Sequence, residues 1–497
     1  MRIKEIGVYG YLRRLCLASA LTAGLAMTTG VSAGVAQIPV DPDAIAGNAQ
    51  AVPQLSPFNT TVAYVAQFYP LWFTYYQSQL GGLVGGYNKL SGPIRVSPII
   101  HYIVAVNVDT VYVGGFLDLT AEPVVVTIPP ATPPLTSTSY SIAMLDPYGA
   151  PSVSIPKTTG SYALVGPGGF TGTLPQGVTR IDVPLNYWFL VFRADKFSPT
   201  NQNEIKQAEA FRRAIKSQTL SDYLKNPSGG AARILPEILY SVPVKTTADN
   251  LIAHDPITFL RQLQRAVAAP NTPTLSPYEQ ALSNRFDSLF ANRNVNRSEF
   301  SAGAQAAHEL ILDRYLTYTH WPRNPPTPTN WIHFTNIGDW GNQVVERSSI
   351  TEFCQYCNNI TTAAYYHVFK DANGNPLDGS NPPGYVLTFP PEEQPEATRF
   401  WSLTAYTPEA IELVPNPAHK YAVARYTPGL QLNNDGSLSV YMAQQLPAGV
   451  PMANWLPIPP GAFNIMLRVY GPEGSVADNT YVPPDIQTYV PPDIQQR

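Results

Sequence analysis

The sequence contains few charged residues. Only 13% of its 497 residues are Asp, Glu, Lys or Arg, about half of the roughly 25% that is usual in soluble domains. The formal net charge is −4 at pH 7, so the chain has no surplus of basic groups that could follow a phosphate backbone. We therefore expect no nucleic acid partner.

Cysteine is also scarce, with three residues in the whole chain. Cys16 lies in the N-terminal segment, whereas Cys354 and Cys357 have C-x-x-C spacing. In an oxidising compartment such a pair is expected to close a small loop as a disulfide. A redox dithiol or a zinc site is the alternative, but no thioredoxin-like pattern surrounds the pair and two further zinc ligands at familiar spacing are missing.

Long apolar runs are confined to the N-terminus. Basic residues precede a small and apolar run over 15–31, and the following "VSAGVA" offers cleavage after Ala33 or Ala36. This order is typical of a secretory signal peptide, which we assign to residues 1–36. No later segment reaches roughly 18 uninterrupted apolar residues, so no membrane span is expected. The predicted location is periplasmic or secreted.

Motifs for common cofactors are missing as well. The chain has no P-loop and no G-x-G-x-x-G, which disfavours nucleotide and dinucleotide chemistry. Its seven histidines are scattered, and no two have the H-x-H or H-x-x-x-H spacing of metal-ligand pairs. The sequence therefore implies no organic cofactor. If the protein binds a divalent metal, we expect oxygen atoms as its ligands.

Proline and tyrosine, by contrast, are abundant, with 50 and 29 residues. Proline interrupts helices and tyrosine suits a half-buried strand, so strands and loops are expected to dominate. Short apolar runs between Gly and Pro extend from about Thr61 to Arg193 and return from Tyr365 onward. Runs of this length are typical of strands in a sandwich or barrel.

The middle of the chain has a helical pattern instead. Asn201 and Glu204 form a capping signal, and Ser276, Pro277 and Glu279 form a clearer one, because Ser caps, Pro fits the first turn and Glu completes the box. A further helix is predicted from about 298 to 318.

The predicted fold class is α+β and mainly β, with two β-sandwich-like or jelly-roll-like domains joined by a helical segment. After the signal peptide we predict, in order, a lead-in over 37–60, an N-terminal β domain over 61–199, a helical connector over 200–360, a C-terminal β domain over 361–480 and an extended tail over 481–497. The tail carries "TYVPPDIQ" twice in tandem. Two copies predict a recent duplication rather than a solenoid.

The stretch "NVDT" at 107–110 places an amide, a carboxylate and a hydroxyl side by side. A turn that begins a strand explains it sufficiently, because Asn and Asp side chains hydrogen-bond to nearby backbone. The functional alternative rests on spacing. Asn107 and Asp109 are two apart, face the same side of a strand and could converge on a polar ligand or a hard cation.

Several longer blocks resemble known families. "NVDTVYVGGFLDLTAEPVVVTIP", "YSIAMLDPYG", "TTGSYALVGPG" and Arg193 resemble the domain-of-unknown-function family 1254. "FWSLTAYTPEAIELVPNP", "NWLPIPPGAFNIMLRVYGPE" and "YVPPDIQ" resemble family 1214. The two resemblances cover roughly 100–195 and 375–487, and they imply an exported bacterial protein with two β-rich domains and helices between them. They imply no general activity.

The resemblance also identifies motif positions. In this chain they are Asn107, Asp109, Thr110, Tyr112, Asp118, Tyr140, Asp146, Trp401, Tyr406, Asn416, Asn454, Trp455 and Arg468. One departure concerns "RSSITEFCQYCNN", which stands where the family has an apolar, alanine-rich helix after an arginine. Any function of that helix is therefore not transferred to this chain.

We expect a site between the two domains that binds a small polar or carbohydrate-like ligand. Asp109 is the candidate catalytic acid or base and the candidate metal ligand, while Arg468 is expected to hold an anionic group. The other candidate ligand-binding residues are Asn107, Thr110, Tyr112, Tyr140 and Trp401. Hydrolysis or isomerisation of the ligand stays open. The alternative is a non-catalytic envelope-binding or assembly protein in which these residues are structural, and an oligomer is compatible with both.

Overall fold

The structure is a computed structural model that describes residues 37–133, 135–136, 139–196, 202–321, 329–381 and 383–491. The predicted signal peptide, the capping residue Asn201 and the end of the tail over 492–497 lie outside the described residues. Within the described ranges, no helix is long and apolar enough to cross a membrane.

Two sheets form the N-terminal half. Their strands are β1 Ser91–Pro93, β2 Thr110–Asp118, β3 Val124–Ile128, β4 Tyr140–Leu145, β5 Pro151–Val153, β6 Gly160–Val165, β7 Val178–Asp182, β8 Tyr187–Asp195, β9 Lys216–Thr219 and β10 Arg233–Leu235. One sheet has the order β10-β1-β2-β8-β4-β5 and the other has the order β7-β6-β3-β9. Val113 and Leu190 of the first sheet share a core with Val126 and Leu164 of the second. The apolar runs read from the sequence are therefore strands that cover one interior.

The helices lie mostly between the two halves of the sequence. They are α1 Pro42–Ile45, α2 Pro57–Val84, α3 Gln202–Ala214, α4 Leu220–Lys225, α5 Lys245–His254, α6 Pro256–Val267, α7 Pro277–Ala291, α8 Arg297–Leu316, α9 Val344–Cys354 and α10 Gly474–Ala477, with short 3₁₀ helices at Val52–Gln54, Glu237–Tyr240 and Met452–Asn454. Helices α6, α7, α8 and α9 contact α2, which makes α2 the centre of a helical layer.

The helix α2 differs from the sequence-based prediction, which placed residues 61–84 among the strands of the N-terminal domain. The segment is rich in Val, Thr, Tyr and Phe, which favour strands, but every residue from Thr60 to Thr74 is buried. A helix buried on all sides has no amphipathic period. The overlooked signal is the start, where the Ser56 hydroxyl accepts a hydrogen bond from the Asn59 N–H at 3.1 Å and Pro57 occupies the first turn.

The helix α7 begins as predicted. The Ser276 hydroxyl accepts from the Glu279 N–H at 3.3 Å, and the Glu279 carboxylate accepts from the Ser276 N–H at 2.8 Å. This capping box satisfies two backbone donors that the helix itself cannot pair. Helix α8 is also found close to its predicted range.

Two further sheets form the C-terminal half. Their strands are β11 Ile332–Phe334, β12 Ala363–Val368, β13 Tyr385–Phe389, β14 Ala397–Tyr406, β15 Ala422–Ala424, β16 Leu438–Ala443, β17 Trp455–Pro457, β18 Asn464–Pro472 and β19 Gln487–Thr488. The orders are β11-β12-β18-β14-β15 and β17-β16-β13-β19. Leu403 and Leu467 of the first sheet share a core with Leu387 and Val440 of the second. The α+β, mainly β class is confirmed.

Candidate functional site

The "NVDT" stretch forms a turn at the start of β2. The Asn107 Oδ1 atom accepts hydrogen bonds from the backbone N–H groups of Asp109 and Thr110 at 3.0 and 3.1 Å. The Asn107 amide nitrogen donates to the Tyr470 hydroxyl on β18 at 2.7 Å. Asn107 therefore closes the turn and also joins the N-terminal half to the C-terminal half.

Asp109 is fully buried, and both its carboxylate oxygens are hydrogen-bonded by the C-terminal half. Ser402 donates to Oδ2 at 2.7 Å, and the Tyr426 hydroxyl donates to Oδ1. Hydroxyl donors stabilise a buried carboxylate that has no water. In the part of the chain that the structure describes, no group of metal-ligating side chains forms around Asp109.

Three other predicted ligand-binding residues are engaged within their own halves. The Thr110 hydroxyl lies 3.2 Å from Asn107 Oδ1, and the Tyr140 hydroxyl donates to the Lys157 carbonyl at 2.5 Å. The Trp401 ring nitrogen donates to Gln394 at 3.3 Å. Neither these three residues nor Asp109 line the cavity that is described next.

A cavity of about 130 Å³ lies between the two halves. Its lining includes residues from the end of α2, from β1, β2 and β8, from the segment 355–358 after α9, and from β12 and β18. Of the predicted site residues, Asn107, Tyr112 and Arg468 line it. The structure thus brings part of the first-domain motif together with the arginine of the second.

Arg468 is the most unusual residue of the lining. It is 2% exposed, its Nη2 donates to the Ala105 carbonyl at 2.6 Å, and its guanidinium lies 5.3 Å from the ring centre of Tyr406. Its Nη1 has no hydrogen-bond partner among the described residues. A buried cationic donor without an acceptor is costly in a folded protein.

Arg193 on β8 is the second buried arginine of the lining. Its Nη2 donates to the Tyr356 carbonyl at 2.8 Å and its Nη1 donates to the Asn358 side chain at 3.2 Å. The guanidinium lies 5.8 Å from the Tyr112 ring. These acceptors are neutral, and no ion pair within the described residues involves Arg193 or Arg468. Neither arginine therefore has a carboxylate as a direct partner.

Two tyrosines add further donors to the same region. The Tyr365 hydroxyl accepts from the backbone and side-chain nitrogens of Asn358 at 2.9 and 3.0 Å, and the Tyr470 hydroxyl accepts from Asn107. No described acceptor takes the phenolic proton of either residue. Burial raises the pKa of Tyr470 well above its usual value, so this phenol is a neutral donor at neutral pH.

Aromatic side chains form an apolar wall of the cavity. Phe116 and Phe189 contact each other at 5.0 Å between ring centres, and Tyr356 stacks on Phe189 at 4.5 Å. Glycines allow neighbouring backbone segments to lie close together in this region. A Cβ atom on Gly115 would lie 2.2 Å from the Lys89 carbonyl oxygen, which no other residue type tolerates. The lining includes Lys89, Arg193 and Arg468, while none of the described lining residues is Asp, Glu or His.

The loop at 354–357 holds part of this lining in place. Cys354 and Cys357 are joined in a disulfide with their Cα atoms 5.5 Å apart. Between them, Tyr356 has a positive φ of 60°, a conformation that costs free energy for any residue with a side chain. The loop presents the Tyr356 carbonyl to Arg193, so the departure from the family pattern noted above lies at the cavity wall.

A separate cluster of charges lies in the helical layer. Ligand atoms of Asp249, His308 and Glu352 all lie within 4.8 Å of one another, which makes this cluster a candidate metal site. However, the Lys245 ammonium already pairs with Asp249 at 2.8 Å and with Glu352. A metal ion would have to displace this ammonium.

Sequence reasoning did not select Arg193, Tyr365 or Tyr470 as site residues. The available signal was an arginine within an otherwise apolar strand. Arg193 ends the run "YWFLVFR", and Arg468 interrupts "FNIMLRVY". A cation enclosed by strand residues cannot reach water, so it has to find a partner inside the protein or in a ligand.

Two family sequence models match the chain. The family described as "Protein of unknown function (DUF1254)" matches residues 87–219, and "Protein of unknown function (DUF1214)" matches residues 362–474. The predicted resemblance of the two halves is confirmed. The cavity draws its lining from both matched regions, since Tyr112 and Arg193 lie in the first and Tyr365 and Arg468 in the second.

Two solved structures are similar to the chain. The VPA0106 protein from Vibrio parahaemolyticus has a TM-score of 0.57 at 17% identity, covering 88% of this chain and 100% of its own. An uncharacterised protein from Burkholderia cenocepacia has a TM-score of 0.37 at 13% identity, covering 89% and 98%. The first similarity concerns the fold alone. No functionally curated protein matches the chain.

Proposed function

We propose that this chain, in which a DUF1254 region precedes a DUF1214 region, binds a small organic anion in the cavity between its two halves. One observation carries the proposal. Arg468 is buried in the lining with an unpaired Nη1 atom, and an anionic group is the partner that such a guanidinium requires.

The composition of the lining favours an anion over a carbohydrate. Cations and neutral donors converge there, whereas no described lining residue is a carboxylate. Sugar hydroxyls need acceptors as well as donors, and the amide oxygens of the lining residues Asn107, Gln355 and Asn358 already accept hydrogen bonds within the protein. The sequence-based expectation of a carbohydrate-like ligand is therefore replaced in this proposal by an organic anion.

The proposal is binding rather than catalysis. A general base must lie within hydrogen-bond reach of its substrate and be deprotonated near the working pH. The described lining has no Asp, Glu or His, and burial raises the pKa of Tyr112 and Tyr470. Hydrolysis and isomerisation, which the sequence left open, are not part of the proposed function.

Asp109 receives a structural role in this proposal. Its carboxylate accepts from Ser402 and Tyr426, and these contacts join the start of β2 to β14 and to the segment after β15. A divalent metal, if one binds, is assigned to Asp249, His308 and Glu352, where it has to replace the Lys245 ammonium. The anion site itself uses only side chains and backbone of the chain.

We also propose that the protein acts outside the cytoplasm after removal of residues 1–36. The basic residues, the apolar run and the small-residue cleavage site support this location. A disulfide between Cys354 and Cys357 is consistent with an oxidising compartment.

The test is thermal unfolding of the purified mature protein with sodium salts of acetate, hexanoate, benzoate and phosphate at equal ionic strength. At least one anion is expected to raise the unfolding temperature of the wild type but not of Arg468→Gln, because a ligand that binds only the folded state stabilises it. Arg180→Gln is the matched control, since Arg180 is exposed and pairs with Asp182. If none of the four anions stabilises the wild type, the proposed function is wrong.

A further inference from the structure

We infer that the anion is a monocarboxylate whose apolar body is about the size of one aromatic ring. This inference rests on the proposed function and names the chemical class of its ligand. Three features of the cavity lead to it, namely its volume, its apolar wall and the number of its free donors.

The volume sets the size of the ligand. The cavity has about 130 Å³, while an engineered apolar cavity of about 150 Å³ in another protein binds benzene. A single ring or a short alkyl chain therefore fills the space. A disaccharide, a nucleotide or a long-chain fatty acid exceeds this volume.

The aromatic wall of the cavity determines that the body of the ligand is apolar. Phe116, Phe189 and Tyr356 form a connected aromatic surface, and Ile103 and Val191 lie beside it in the same lining. Aromatic rings contact such a surface favourably by offset stacking or edge-to-face packing. An apolar body also releases water from a wall that offers it few hydrogen bonds.

The free hydrogen-bond donors of the cavity determine the charged group of the ligand. Arg468 Nη1 and the phenolic protons of Tyr365 and Tyr470 are unused among the described residues. A carboxylate has two oxygens with about four lone-pair sites, which these donors nearly fill. A hydrogen phosphate dianion would bring two more oxygens and a second charge into a space that has too few free donors to satisfy them.

The experiment is calorimetric titration of the mature protein with four probes. Benzoate carries both the carboxylate and the apolar body, whereas acetate lacks the apolar body. Benzamide has the apolar body without the charge, and inorganic phosphate replaces the carboxylate by another anion. We expect benzoate to bind most tightly and each of the other three to bind at least about tenfold more weakly, since a charged hydrogen bond or a buried ring contributes that much.

The outcomes separate this inference from the proposed function. If acetate binds as well as benzoate, or phosphate binds better, the ligand class is wrong but the anion site stands. If benzamide binds as well as benzoate, the anion proposal itself is wrong. If no probe binds, both are wrong.

A cavity-filling variant locates the apolar body. Gly81 lies in α2 and lines the cavity, and a Cβ atom there would lie 3.3 Å from the Phe116 ring. Alanine is favoured over glycine within a helix, so Gly81→Ala is expected to fold. It should weaken benzoate binding at least about fivefold by crowding the wall and leave acetate binding unchanged. Gly168→Ala is the control, because a Cβ atom on Gly168 meets no atom within 4 Å. Equal benzoate affinity of Gly81→Ala and the control would overturn the placement of the body.

Discussion

At the scale of single residues, the polar side chains in and near the cavity differ in how completely their hydrogen-bonding groups are paired. Asp109 has two hydroxyl donors and is satisfied by the protein. Arg468 has one carbonyl acceptor and an unpaired nitrogen, and it is satisfied only in part. The proposed anion site therefore rests on the incomplete partner set of Arg468 and not on its burial alone.

Asp109→Ala is expected to destabilise the protein without changing benzoate affinity. The substitution leaves the buried hydroxyls of Ser402 and Tyr426 without their acceptor. Hydrogen bonds to a charged group contribute about 1.5–3 kcal/mol each, so losing two of them should lower the free energy of unfolding by about 3–6 kcal/mol. Urea denaturation measures the loss, and Asp182→Ala, at an exposed position, serves as the control. A folded Asp109→Ala protein of normal stability that has lost benzoate binding would show that Asp109 belongs to the ligand site.

Part of this residue set can be predicted from the sequence. Spacing singles out Asn107 and Asp109, and the resemblance to family 1214 singles out Arg468. Whether each meets water, another side chain or a ligand depends on which strand of the other half lies opposite. Asp109 and Ser402 are 293 positions apart in the chain, and no local pattern links residues at that separation.

At the scale of elements, the loop after α9 links a covalent bond to the cavity. The disulfide closes the loop, the loop fixes Tyr356 at positive φ, and the Tyr356 carbonyl holds Arg193. Each link depends on the one before it, because a residue with a side chain leaves the left-handed region when nothing constrains it.

Replacing both cysteines by alanine is therefore expected to weaken benzoate binding. Without the disulfide, Tyr356 can relax, and Arg193 loses a defined acceptor in the wall. We expect benzoate affinity to fall about three- to tenfold, which corresponds to a hydrogen bond of about 0.5–1.5 kcal/mol, and titration calorimetry measures it. Stability should change little, because a disulfide across so short a loop restricts the unfolded chain only slightly. Unchanged affinity in a folded double variant would contradict the coupling.

The charge cluster in the helical layer predicts a pH effect. His308 lies 3.4 Å from Asp249 and 3.7 Å from Glu352, near Lys245 and Tyr69. Burial alone would lower the pKa of His308, but the nearby carboxylates of Asp249 and Glu352 outweigh it and raise the pKa to about 9. The folded state therefore binds this proton more tightly than the unfolded chain does.

The stability that His308 contributes should be fully present below about pH 6.5 and should be lost as the pH rises toward 9. The loss amounts to at most about 3 kcal/mol. Urea denaturation of the wild type and of His308→Gln between these two pH values measures it. The wild type should lose stability relative to the variant as pH rises. Parallel curves would indicate that His308 is not charged at neutral pH.

Helix α2 explains why the sequence predicted some elements better than others. Helix α7 has one buried face and a complete capping box, so its period and its start both appear in the sequence. Helix α2 is buried by four other helices along most of its length, so tertiary packing overrides the strand preference of its residues. The Ser-Pro start was the only local signal that the two helices share.

At the scale of the whole molecule, the cavity is a product of how the two halves meet. Arg399 of the C-terminal half pairs with Asp195 of the N-terminal half, Tyr406 donates to the Val106 carbonyl at 2.7 Å, and Arg468 donates to the Ala105 carbonyl. These contacts join the two halves, and the cavity takes its lining from both, so neither half contains the complete site. The sequence predicted two β-rich halves with helices between them, but the cavity lining depends on how those halves dock.

The most direct test of the central claim is a crystal structure of the mature protein with 4-bromobenzoate, in which anomalous scattering locates the bromine. We predict a bromine peak beside Phe116 and Phe189 and a carboxylate in contact with Arg468. A bromine peak only at the protein surface, or a carboxylate that contacts neither Arg468 nor Arg193, would contradict the account.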